Sequence, residues 1–150
     1  MTLTAIILFA LLASEHVLSR YLVREETECI KQLKLDQDEI IANMDPWSQP
    51  LPTDYKPLND FLACSWKKLK MLDNNEKIQW SRVKSYLGNE FTSAIMAANV
   101  SAYVAVAVSE MMKNIMDTCQ KQNISGSSPG QTIVKILNCI ELQTRERAVR

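Results

Sequence analysis

Four cysteines set the terms for this chain. Cys29, Cys64, Cys119 and Cys139 are spread over most of its length, and none forms a Cys-x-x-Cys pair. A zinc site needs closely spaced thiolates or imidazoles, and the only histidine is His16. What four scattered thiols can do then depends on the compartment they meet.

Residues 4–13, TAIILFALLA, are almost wholly apolar. Ten such residues are too few to span a bilayer and suit the apolar region of a secretory signal peptide; a short membrane anchor is the competing reading. The polar Ser14, Glu15 and His16 follow, and Val17-Leu18-Ser19 offers a cleavage site. The expected organisation is a signal peptide over residues 1–19 and one domain over 20–150. Cleavage removes His16 and leaves a mature chain without histidine. In an oxidising compartment, an even cysteine count without metal spacing reads as two disulfides. Three pairings are possible, and spacing alone does not choose among them.

A domain of this size can bury a single core. With 47% hydrophobic residues and only 3 glycines, nothing marks it as disordered or fibrous. A formal net charge of zero removes electrostatic attraction to nucleic acid or to an anionic membrane as a starting idea.

Apolar spacing predicts about six helices and no strands. Residues 20–34 read as a short amphipathic helix with Leu22, Cys29 and Leu33 on one face. Asp36 followed by Glu39 is a capping-box pattern, with Ile40, Ile41 and Met44 expected to face inward. Residues 45–57 hold four prolines and read as an extended loop. Residues 57–72, PLNDFLACSWKKLKML, form an expected helix with Cys64 at its centre and lysines on the far side. A further helix is expected over 76–87, stopped by Gly88. Residues 91–121 read as one long buried helix, broken near Asn99, because so long an apolar run without a turn signal exceeds any strand. Ser128, Pro129 and Gln131 open the last helix, whose apolar face is Ile133, Ile136, Leu137 and Ile140. The charged residues 141–150 are expected to fray. Two N-x-S sequons occur, at Asn99 and Asn123; Asn123, in a loop, is the expected glycosylation site.

At this point the cysteine frame resembles the insect odorant-binding protein family, of the pheromone-binding and general-odorant-binding type, in its four-cysteine variant. The full family has six cysteines, with three residues between the second and third, about ten between the fourth and fifth, and eight between the fifth and sixth. With Cys64 as third, Cys119 as fourth and Cys139 as sixth, the missing positions fall on Asp60 and Gly130. The text LPTDYKPLNDFLACSWKKLKML around Cys64 and SPGQTIVKILNCI before Cys139 also look like the family. The resemblance implies the pairs Cys29–Cys64 and Cys119–Cys139. It also implies that Asp60 and Gly130 face each other, and that the absent link leaves their helices freer to separate. One departure is the long interval between Cys64 and Cys119, with its excess in residues 92–108. Another is a tail too short and polar to fold back as an apolar plug.

The residues point away from an enzyme. A serine or cysteine hydrolase needs a base, usually histidine, and neither a Gly-rich phosphate loop nor a metal set is present. Cofactors are not expected. The expected function is a secreted, extracellular carrier that holds small hydrophobic molecules such as odorants or pheromones in a cavity between helices. Its expected lining is Leu62, Trp66, Leu69, Leu72, Trp80, Val83, Leu87, Ile95, Met96, Tyr103, Met111, Met112, Ile115, Ile136 and Leu137. Methionine suits an irregular pocket for several apolar ligands, and Tyr86 or Tyr103 can orient a head group. Expected partners are the ligand and a membrane receptor, with a homodimer as a further option and neither nucleic acid nor membrane insertion. The competing class is a secreted helical signalling protein that exposes an apolar patch and holds no ligand.

Overall fold

The computed structural model describes residues 22–44, 49–97 and 101–148, and of residues 95–97 and 148 the backbone only. The expected signal peptide, Asn99, residues 45–48 of the expected extended loop and the side chains of Ile95 and Met96 lie outside the described residues. Six helices follow in order: α1 (Arg24–Leu33), α2 (Gln37–Ala42), α3 (Lys56–Lys68), α4 (Trp80–Ala97), α5 (Ala102–Lys121) and α6 (Pro129–Ala148). The fold is all-α; among the described residues the only strand-like pairing is an isolated bridge between Leu72 and Ile78.

The two cross-links are Cys29–Cys64, joining α1 to α3, and Cys119–Cys139, joining α5 to α6, with Cα separations of 5.9 and 6.0 Å. Each ties neighbouring helices that also pack on one another, and α3 packs extensively on α6. The core lies between them, built on Leu58, Phe61 and Leu62 of α3, Met112, Ile115 and Met116 of α5, and Ile133, Val134 and Ile136 of α6.

Local chemistry explains several boundaries. Asp36 caps α2 by accepting from the Glu39 amide at 3.0 Å. The Glu39 carboxylate does not reach back to close a capping box; it accepts a hydrogen bond from the Tyr55 hydroxyl. Ile40 is buried, whereas Ile41 turns out to solvent, because a helix of six residues presents only one narrow face to the core. Ser128 Oγ accepts from the Gln131 amide at 3.1 Å and opens α6 as expected.

Four expectations are corrected. The helix expected over 76–87 begins only at Trp80, because Asp73 accepts from the amides of Asn75 and Lys77 and holds 72–79 as a tight turn. Gly88 does not stop it. α4 runs through Gly88 to Ala97, no glycine has a positive φ among the described residues, and Thr92 Oγ1 donates to the Gly88 carbonyl at 2.8 Å. Packing against α5 outweighs the helix penalty of one glycine, about 1 kcal/mol.

The helix expected over 91–121 does break near Asn99, between Ala97 and Ala102, but its first part belongs to a longer α4 that begins at Trp80, and its second part is α5. Lys84 Nζ meets Gln120 Oε1 at 2.6 Å and the Thr92 and Ser109 hydroxyls lie 3.3 Å apart, so α4 and α5 form an antiparallel hairpin. Two amphipathic helices facing each other read in sequence as one helix that is apolar on nearly every side. Finally, the tail does not fray at residue 141. α6 continues to Ala148 with Glu141 and Thr144 buried, and Arg147 donates to the Met111 carbonyl at 3.4 Å.

The Asp60–Gly130 region also differs from expectation in one respect. Gly130 lies against the backbone of Asn59, the residue before Asp60. A Cβ built on Gly130 would stand 2.0 Å from the Asn59 carbonyl oxygen. Helices α3 and α6 are therefore in backbone contact here.

Candidate functional site

The expected lining falls into three groups. Leu62, Trp66, Leu72, Val83, Met112, Ile115 and Ile136 are buried together in one apolar cluster. Leu69, Trp80, Leu87, Met111 and Leu137 are half-buried and pack against that cluster, as does Tyr86. Tyr103 is 76% exposed. Val104, Val108, Met112, Ile115, Met116 and Cys119 are the residues of α5 that face inward. At about 100° per residue, Tyr103 and Val106 fall outside that stripe, so Tyr103 does not reach the interior as expected.

The inward set also contains residues that the expected lining missed: Phe61, Met71, Met116, Ile133 and Val134 are each 2% exposed or less. For Phe61, Met116, Ile133 and Val134 the signal was present in the i, i+3, i+4 spacing of α3, α5 and α6; Met71 lies in the turn beyond α3 and has no such signal. Met44, Met71, Met112 and Met116 give this core an unusual share of unbranched, polarisable side chains.

Two concavities stand out at the surface. One, of about 580 Å³, is lined by Trp80, Asp117, Gln120, Lys121 and Asn123 where the start of α4 meets the end of α5. A second, of about 300 Å³, is lined by Thr92, Ala105, Val106, Ser109, Glu110 and Lys113 on the outer side of the hairpin. Two residues of the first are held by Lys84, whose Nζ pairs with Asp117 Oδ1 at 2.5 Å and donates to Gln120 Oε1 at 2.6 Å. The hydrogen bond from Lys84 holds the Asp117 carboxyl below the usual carboxylate range. Beside the first disulfide, Arg24 and Lys68 flank Glu28 and lower its carboxyl in the same way. Tyr55 shows the reverse, its hydroxyl pushed up to about 12 by the hydrogen bond to Glu39.

These features define a small all-α domain with two disulfides and an apolar, methionine-rich interior. The PBP/GOBP family model matches residues 21–143. The chain belongs to that family, the odorant- and pheromone-binding proteins, and its four cysteines fit the variant that lacks one disulfide. Members of the family are secreted binding proteins rather than enzymes, and carry small hydrophobic ligands. No similar curated protein and no similar solved structure was found. Among the described residues, no helix is long and apolar enough to cross a membrane.

Proposed function

We propose that this protein is a secreted carrier that takes a small hydrophobic molecule in among the buried side chains of α3, α4, α5 and α6. Family membership is the observation that carries this reading. The buried methionines support it, since thioether chains re-pack around ligands of different shape at low cost. Entry is easiest beneath α4. That helix packs chiefly on α5, and neither disulfide reaches it. Its polar ties to α5 include the Lys84 contacts and the Thr92–Ser109 pair.

Energetics favour a chain-like ligand. About 15 buried methylenes at about 0.8 kcal/mol each supply about 12 kcal/mol gross. An association cost of about 4 kcal/mol leaves about 8, which is micromolar affinity. An apolar reporter dye should therefore bind at micromolar concentration and be displaced by long-chain alcohols, esters or fatty acids. Met112→Trp, which fills the space a ligand would need, should weaken the dye by tenfold or more.

A second reading is favoured by one observation: Tyr103 and Val106 stand exposed on α5, 76% and 66% accessible. A signalling protein that docks a partner through that face would leave the core closed. Folded, two-disulfide protein that takes up no dye would sink the carrier reading in favour of this one.

A further inference from the structure

The larger surface groove has a glycosylation sequon in its wall. Asn123-Ile124-Ser125 follows directly on α5, and Asn123 is exposed. Its backbone is left-handed, with φ of 49°, and its amide donates to the Gln120 carbonyl at 3.3 Å. Asparagine is favoured at such a helix end for conformational reasons alone. The surroundings go further than a helix end requires. Across the groove stands the half-buried Trp80, and Asp117, Gln120 and Lys121 complete the lining. An aromatic surface beside hydrogen-bonding side chains suits a sugar ring, whose C–H face stacks on the indole while its hydroxyls meet polar groups. At about 580 Å³ the groove is also within the size range of small-molecule sites.

We propose that Asn123 carries an N-linked glycan whose innermost sugar rests in the groove against Trp80. The inference depends on the secreted reading, because the donor is a lipid-linked pyrophosphate oligosaccharide of the secretory pathway. In the transfer, Asn123 Nδ2 forms a bond to the anomeric carbon of the first N-acetylglucosamine, and the bond from that carbon to the pyrophosphate oxygen breaks. The lipid pyrophosphate leaves with the electron pair, and the amide gives up one proton; no oxidant or reductant is involved.

The full chain, exported from a eukaryotic secretory cell behind a foreign cleavable signal sequence, keeps this test separate from the behaviour of residues 1–19. Intact mass is read on protein from the lysate and from the medium, so that poor export does not conceal occupancy. The expected result is a glycan mass that peptide N-glycosidase removes, leaving aspartate at position 123. It should be lost in Asn123→Gln and in Ser125→Ala and kept in Asn99→Gln. Ser125→Ala retains Asn123 and its left-handed turn, so a missing glycan there does not come from a broken helix end. The glycan should also shield Trp80: quenching of tryptophan emission should rise on deglycosylation, and that change should vanish in Trp80→Phe. An unmodified Asn123 in folded protein would overturn the site. A glycan at Asn123 with unchanged Trp80 quenching would overturn its place in the groove.

Discussion

Replacing Gly130 by alanine puts a methyl group where the backbone of α3 already is. The new Cβ would lie 2.0 Å from the Asn59 carbonyl oxygen, 2.4 Å from its carbon and 2.7 Å from its Cα. Ordinary contact begins at 3.4 Å, so α6 must retreat from α3 by about 1.4 Å, the difference of 3.4 and 2.0. The obstacle is a helix backbone, which cannot swing aside as a side chain would. That retreat also strains the bonds that moor α6 to the loop before α3. Leu51 donates to Asn138 at 2.7 Å, Asn138 donates to the Leu51 carbonyl at 2.9 Å, and Gln131 donates to Asp54 at 2.9 Å. Overpacking costs about 1–3 kcal/mol, and each weakened hydrogen bond about 1 kcal/mol. Alanine returns at most about 1 kcal/mol through helix propensity. The net loss is about 3 kcal/mol, or roughly 6–12 °C in melting temperature for a chain of this length. Gly88→Ala is the control, because nothing lies within 4 Å of its added Cβ. It should gain about 0.5–1 kcal/mol. Reversible urea unfolding with unchanged slope measures both variants. Gly130→Ala as stable as the parent, with Gly88→Ala behaving as stated, would refute the backbone contact between α3 and α6. The same contact means that Asp60→Cys with Gly130→Cys should stay unbridged until the helices are forced apart.

The other predictions concern covalent and titrating groups. Removing Cys29–Cys64 or Cys119–Cys139, which close loops of 35 and 20 residues, should cost about 3.8 and 3.3 kcal/mol in the chain-entropy treatment; paired Cys→Ala variants in urea check each value. Tyr55 should form its phenolate only near pH 12. A folded value raised above the ordinary one gives stability that is present below pH ~10 and lost as pH climbs towards 12, and ultraviolet titration of Tyr55→Phe should lack that late step. Glu28 and Asp117, both held low, stabilise the fold above the ordinary carboxylate range and cease to do so as acid protonates them. Acid unfolding should therefore shift to higher pH in Lys84→Met, which removes the group that depresses Asp117. Dye binding should change little between pH 7 and 6, since the only histidine, His16, lies within the expected signal peptide.

Much of this fold was legible because its signals are local. The Asp36 cap, the Ser128-Pro129 start and the stripe on residues 57–72 each need only a few neighbouring residues to be read. The disulfide partners were legible only through the resemblance to a known family, since the spacing of the four cysteines left three pairings open. The hairpin of α4 and α5 was hidden for a physical reason. Each arm hides a different face, and the lining residues Val83, Val108 and Met112 look alike in sequence whichever helix covers them. Gly88 and Gly130 illustrate the same limit. Gly88 reads as a stop and lies mid-helix; Gly130, expected to face Asp60, lies against the backbone of the neighbouring Asn59. The groove of Trp80, Asp117 and Asn123 joins residues more than 35 positions apart, and no pattern within one segment could announce it.

The placement of the two disulfides divides the molecule into two covalent islands. The first holds α1 to α3 and the second α5 to α6, while α3 and α6 meet through side chains and backbone alone. A single nick in the turn between α3 and α4 therefore leaves two fragments with no bond between them, each still internally cross-linked. Denaturant without reductant would release them as separate halves, and dilution would reunite them only as strongly as the α3–α6 seam allows. A bridge between positions 60 and 130 would abolish that property, since it alone would join the islands. In giving up that bridge, this chain has become divisible at one seam.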